Sequence, residues 1–239
     1  MKCLMLPWAT LKPLVGTCAV YVDCTEIKQA HPQLPSAVYT ITTWHTNRRV
    51  DVFCDMDTEG GGWTVFQRRF DGSVDFYRNF YQYTNGFGLA SHEHWLGLRT
   101  IQEMISKTSH ELRIDVEDFD GSSGYDVYSN FRLQGTGYTF YVDNRTRSFN
   151  MTDDTQQLSA KHHNTPYGQK FTTYDNDHDQ SRFDNCAQWA HGAWWYDSCW
   201  SANLNGAYEQ QADEIQDSMR KCWSAITDVK SQTLRHTDV

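Results

Sequence analysis

Residues 174–208, YDNDHDQSRFDNCAQWAHGAWWYDSCWSANLNGAY, constrain this chain more than any other stretch. An acidic run, in which Asp175, Asp177 and Asp179 alternate with Asn176 and His178, leads straight into a block bracketed by Cys186 and Cys199. The twelve residues between those cysteines include Trp189, Trp194, Trp195 and Tyr196. Alternating carboxylates on a short turn offer several oxygens to one hard cation. A disulfide beside them would hold the following loop so that its rings form a wall instead of collapsing. The residues read as a calcium-braced recognition site. The plainer alternative is a solvated acidic loop next to a stapled corner of the core.

With 239 residues the chain suits one large domain or two small ones, and no repeat, low-complexity tract or proline-rich linker divides it. Hydrophobic residues make up 39%, but 14% of the chain is aromatic, so the core material comes largely as rings. Such a core suits an irregular, loop-rich fold better than a helix bundle. The net charge of −9 and the lack of a basic stripe argue against nucleic acid as a partner. No apolar run is long enough to span a bilayer.

The seven cysteines fit an oxidised, secreted protein better than a reduced cytosolic one. Cys24/Cys54 and Cys186/Cys199 each bracket a coherent segment, and no zinc-like cysteine spacing is present. Asn144-Arg-Thr146 and Asn150-Met-Thr152 are N-glycosylation sequons in a polar stretch. The odd count leaves at least one thiol over, with Cys3, Cys18 and Cys222 the candidates, each able to link a second chain. Residues 1–19 make a poor signal peptide, because Pro7, Lys12 and Pro13 interrupt the apolar region.

Along the chain, Val38–Thr42 and Val50–Cys54 read as strands, and a Cys24–Cys54 bond would pin the N-terminal segment to the second. The triple glycine Gly60–Gly62 predicts a turn with close backbone approach, followed by a strand over 63–69. Apolar spacing predicts a helix over 91–108, capped by Ser91, with Trp95, Leu98, Ile101, Met104 and Ile105 on its buried face. Glu111–Glu117 alternates cleanly as a half-buried strand. Tyr125–Leu133 and Tyr138–Val142 follow as further strands, and beyond Asn144 regular patterning stops. The fold class is α+β, a twisted antiparallel sheet with few helices and a loop-rich calcium- and ligand-binding subregion.

The chain resembles the fibrinogen C-terminal domain family, which includes ficolins, tachylectins, angiopoietins and tenascins. The likeness rests on Phe53-Cys54-Asp55-Met56, on Gly60-Gly61-Gly62-Trp63-Thr64-Val65-Phe66-Gln67-Arg68-Arg69, and on Asp71 to Arg78. It continues through Asn85-Gly86-Phe87-Gly88, Trp95-Leu96-Gly97, Gly192-Ala193-Trp194-Trp195-Tyr196 and Asn203-Leu204-Asn205-Gly206. These motifs place the domain at 23–208, with flanks at 1–22 and 209–239.

The resemblance implies disulfides Cys24–Cys54 and Cys186–Cys199. It implies calcium held by the carboxylates of Asp177 and Asp179 and by the carbonyls of Ser181 and Phe183. One extra residue before Cys186 makes Asp184 the alternative to Phe183. In the family's lectin branch acetyl groups bind beside this calcium, which assigns the pocket here to Ala190, His191, Ser198, Cys199, Trp200 and Tyr208, with a cis peptide at Ser198-Cys199. Ala190 stands where acetyl-binding relatives often carry Tyr, and Trp200 where they often carry His.

The family's final strand, which returns to the main sheet, is not recognisable after Tyr208. Residues 209–230 read as a polar helix, and a sheet without that strand would be of low stability. The implied function is a secreted, calcium-dependent lectin that binds acetylated sugars on microbial surfaces, working as linked copies. The alternative is a protein-binding signalling or matrix ligand of the angiopoietin or tenascin type, facing a cell-surface receptor. No catalytic constellation is legible, and His162-His163 lacks spaced metal-ligand partners.

Overall fold

The computed structural model describes residues 19–117, 121–151, 158, 164–199, 202–208 and 228–237. In chain order the elements are α1 (Cys24–Ala30), β1 (Ala37–Thr42), β2 (Arg49–Asp55), β3 (Trp63–Arg68), α2 (Phe80–Asn85), β4 (Phe87–Gly88) and β5 (His94–Trp95). They continue with α3 (Leu98–Ile105), β6 (His110–Glu117), β7 (Ser123–Tyr128), β8 (Arg132–Gln134), β9 (Thr139–Tyr141), β10 (Arg145–Phe149), α4 (Cys186–Trp189) and β11 (Asp228–His236). The main sheet runs β1-β2-β3-β11-β6-β7-β10, with β5 paired to β3 and β4, and β8 and β9 form a separate hairpin. The pairings are antiparallel. This is the expected α+β class.

The tail overturns one expectation. A strand does return to the sheet, and it is β11. It lies between β3 and β6, with Leu234 opposite both Thr64 and Leu112. Its side chains Thr233 and Leu234 are buried. The missing ladder, and the low stability argued from it, therefore fall away. The helix expected over 209–230 lies, up to residue 227, outside the described residues.

The helix expected over 91–108 is shorter, and its cap is not Ser91, whose hydroxyl pairs with His92 Nδ1 instead. Gly97, at φ +101°, precedes the first turn, and a Cβ there would sit 2.8 Å from the backbone of Asn85 and Gly86. His94 and Trp95, which precede Gly97, pair as β5 with β3 and β4. Leu98, Ile101, Met104 and Ile105 are buried as their spacing requires. The single strand expected over 125–133 is two, β7 and β8, parted at Asn130, which takes a left-handed φ of 55°. The polar segment after Asp23 is α1, capped by the Asp23 carboxylate, which accepts from Glu26 N–H at 2.9 Å. The polar stretch after Asn144 contains an edge strand, β10.

The core is built of rings. Trp195 lies 4.9 Å from Phe171 and 5.0 Å from Phe140 between ring centres. Trp95 packs 5.9 Å from Phe171 and 5.4 Å from Tyr83. Their indole N–H groups donate to Tyr138 O and Tyr83 O, so burying them leaves no donor stranded. The Cys24–Cys54 disulfide, with Cα atoms 5.5 Å apart, ties α1 to β2. Gly61 shows why the glycine run is needed, since a Cβ would meet Met56 O at 2.2 Å.

Candidate functional site

The site lies where the chain between β10 and α4 folds back on the aromatic block. Thr172 and Trp194 form an antiparallel bridge, with N–H to O distances of 2.9 and 3.2 Å. His178 N–H then donates to Thr172 Oγ1 at 3.0 Å, and His178 Nδ1 pairs with Phe171 O at 2.9 Å. These bonds turn the acidic run back on itself and leave Asp177 exposed and Asp179 half-buried.

Asp179 ties the turn to the first cysteine. Its Oδ2 accepts from Cys186 N–H at 2.7 Å and its Oδ1 from Ser181 N–H at 2.9 Å. Asp179 N–H in turn donates to Asp177 Oδ1 at 3.1 Å. Gln180 N–H donates to Asp197 O, and Asp197 N–H to Cys199 O, which ties the same turn to the second cysteine. The Cys186–Cys199 disulfide closes the loop with Cα atoms 5.4 Å apart, and the Ser198-Cys199 peptide is cis.

Burial pushes the Asp179 carboxyl up, and the Cys186 and Ser181 N–H groups pull it back. The neighbouring Asp177 charge adds to the rise, so the net direction is above the ordinary carboxylate range. Neither carboxylate takes part in an ion pair among the described residues. Two adjoining carboxylates without a balancing side chain are a donor set that suits a hard cation. No group of three His, Cys, Asp or Glu side chains in metal-holding proximity occurs among the described residues. A cation here would complete its shell from backbone carbonyls and water.

Beside this turn lies an open cleft of about 610 Å³, lined by Ser181, Asp184, Asn185, Gln188, Trp189, Ser198 and Cys199. Its floor is set by Asn185, the cap of α4. Asn185 Oδ1 accepts from the N–H groups of Ala187 and Gln188, and its Nδ2 donates to Thr173 O at 3.0 Å. The lining mixes hydroxyls, amides and one carboxylate with a single indole, Trp189, that is 58% exposed. That is the chemistry of a site for a polar ligand with one apolar face.

Of the residues singled out in the sequence, Asp177, Asp179 and Ser181 come together at the turn, and Ser198 and Cys199 reach the cleft. Phe183 follows them but its side chain is 93% exposed. Ala190 packs against the core, and its carbonyl accepts from Asn203 Nδ2. His191 takes a left-handed φ of 44° and its ring lies tilted against Tyr77, outside the cleft lining. Tyr208 is engaged elsewhere: its hydroxyl donates to Phe70 O at 2.8 Å and its ring lies against Gly72. Trp200 lies outside the described residues, as do Cys3, Cys18, Cys222 and His162-His163. Asn144 and Asn150 are exposed at the two ends of β10. The sequence reading passed over Gln188 and Asn185, named Trp189 only among the rings of the bracketed loop, and named Asp184 only as the alternative carbonyl ligand to Phe183. The signal it missed was Asn185 directly before Cys186, a helix cap that places the next turn of side chains on one side.

The family model described as "Fibrinogen beta and gamma chains, C-terminal globular domain" matches residues 20–234. Fibrinogen C domain-containing protein 1 of Xenopus tropicalis is 43% identical over 187 residues, which is 78% of this chain and 40% of that protein. Ficolin-3 of Homo sapiens is 43% identical over 190 residues, 77% of this chain and 61% of that protein. The chain thus spans less than two thirds of the length of these curated relatives. Among solved structures, the fibrinogen-like globe domain of human ANGPTL6 superposes with a TM-score of 0.79 at 29% identity, covering 97% of this chain and 100% of that one.

Proposed function

The chain belongs to the fibrinogen C-terminal domain family, and from that premise we propose that it is a secreted, calcium-dependent lectin that binds acetylated sugars or related groups on microbial surfaces. The observation that carries this reading is the pair of carboxylates, Asp177 and Asp179, hydrogen-bonded into the wall of a polar cleft that ends in one exposed indole. Calcium, when bound, would supply the positive charge that holds the two carboxylates together and stiffens the turn. Asp177 and Asp179 would hold it through their carboxylates, and Ser181 and Phe183, or Asp184 in its place, through carbonyls. With so few charged ligands the affinity is expected on the order of 0.1–1 mM, as in other extracellular modules.

This chain's own residues then do the recognition. Asp179 fixes the N–H groups of Ser181 and Cys186, so the turn and the first cysteine move as one body. Ser198 and Cys199 present backbone and hydroxyl groups to the cleft. Asp184, Asn185 and Gln188 supply hydrogen-bonding partners for sugar hydroxyls or an acetamide. Trp189 offers its face to the C–H side of a sugar ring.

The two disulfides support an oxidising, extracellular setting. Glycosylation at Asn144 and Asn150 would sit on an exposed strand and leave the cleft lining free. No described helix is long and apolar enough to cross a membrane. One lectin site binds weakly, so useful avidity would come from linked copies of the chain.

A second reading, a ligand for a cell-surface receptor protein, is favoured by the exposure of Phe183 and Trp189, since large exposed rings are typical interface anchors. An acetylated resin separates the two. Retention in calcium, with release by a chelator and by free N-acetylglucosamine, is the expected result. Retention that ignores both reagents, or no retention at all, would remove the lectin reading.

A further inference from the structure

Beyond the cleft, three rings from three separate segments meet at the surface. Tyr77, just before α2, lies 4.9 Å from Tyr174 and 5.3 Å from His191 between ring centres. Tyr77 and His191 are exposed and Tyr174 is half-buried. His191 follows α4, and Tyr174 O accepts from Gln188 of that helix, whose residues Gln188 and Trp189 line the cleft.

The shelf is held from below. The Asp175 carboxylate accepts from Phe80 N–H at 2.9 Å and from Thr173 Oγ1 at 2.7 Å, which fixes the turn carrying Tyr174 to the start of α2. Asn185 Nδ2 donates to Thr173 O, and Gln188 Nε2 to Tyr174 O at 3.0 Å. The same amide side chains that line the cleft therefore position the shelf. A ring platform fixed in advance loses little freedom when a ligand lands on it.

Resting on the lectin reading, we propose that the binding face continues from the cleft onto Tyr77, Tyr174 and His191, and that this shelf takes a second sugar ring of an extended oligosaccharide. A pyranose has one face of C–H groups and an edge of hydroxyls. The tyrosine faces suit the first, and the phenol and imidazole edges suit the second. The two Tyr hydroxyls make no hydrogen bond to protein among the described residues, so they can donate to and accept from a ligand.

The test compares N-acetylglucosamine with its β-1,4-linked trimer by calorimetry on the full chain in calcium, with Tyr77→Ala and Tyr174→Leu beside the parent. The trimer should bind the parent about tenfold tighter than the monomer, the gain that one ring anchor commonly supplies. Each variant should lose that advantage while keeping the parent's monomer affinity and calcium affinity. Equal affinity of the parent for monomer and trimer overturns the shelf but leaves the lectin reading standing. A trimer advantage that survives both substitutions does the same. A parent that takes up calcium yet binds neither sugar overturns the lectin reading and the shelf with it.

Discussion

Glu93 shows how much one side chain can organise. It is fully buried, and its carboxylate accepts from the backbone N–H groups of Phe70, Asp71, Gly72 and Val74 at 2.7–3.0 Å. Burial alone would raise its pKa, but those four donors outweigh it and hold the carboxyl below the usual range. The loop so fixed is the one that receives the Tyr208 hydroxyl, which is why Tyr208 is drawn there and not to the cleft. Glu93→Gln leaves one amide N–H facing a backbone N–H, and should cost about 1.5–3 kcal/mol in urea unfolding. Its neighbour His94 is also buried, and burial holds the imidazole below its ordinary value. Both groups bind protons more tightly when unfolded, so both stabilise the fold above their unfolded pKa and lose that contribution as pH falls through the folded one. The melting temperature should therefore decline first below about pH 6.5 with His94 and again below about pH 4.5 with Glu93. His94→Gln should remove the first step and leave the second.

At the scale of elements, β11 separates what the sequence made legible from what it hid. Strands β1, β2, β3 and β6 were readable because each has a clear period of two or a dense run of β-branched and aromatic residues. Asp228–His236 has neither, although it is a central strand. The reason lies in the sheet face beside it. Arg235 pairs with Glu111 at 2.9 Å and lies 4.2 Å over the Trp63 ring, and Arg113 and Arg147 both pair with Glu59. Ion pairs and cation–ring contacts cover that face where aliphatic side chains would have given an alternating pattern. The ladder itself is also irregular, with register shifts against both neighbours. The edge strand β10 was hidden for a simpler reason: its side chains are largely solvated, so its composition reads as loop. If β11 is integral to the sheet, Leu234→Ala should destabilise the protein by about 2–5 kcal/mol, measured as a lower urea midpoint at unchanged slope. A change near zero would mean that the strand does not carry the core contact that its burial indicates.

At the scale of the molecule, the fold is a sheet that delivers one turn and one disulfide-closed loop to the same place. The family motifs, the acidic pair and the bracketing cysteines were legible because each needs particular residue types at fixed spacing. The cleft lining was not, because Trp189, Gln188 and Asn185 are brought round by a short helix whose direction depends on Asn185 bonding to Thr173, twelve residues earlier. His191 is absent from that lining for a related reason: its left-handed backbone carries the ring toward Tyr77. Asp179 is the joint on which both halves depend, since it bonds to the turn and to Cys186 at once. Asp179→Ala should abolish calcium uptake and acetyl-resin binding together, whereas Asn144→Gln should leave both unchanged. The central claim, that a cation gripped by Asp177 and Asp179 stiffens the loop closed by Cys186 and Cys199, is tested most directly by amide hydrogen exchange across residues 177–199 with and without millimolar calcium. The account predicts slower exchange through that whole segment on adding calcium, and no such change in Asp179→Ala. Identical exchange in the parent with and without calcium would contradict it.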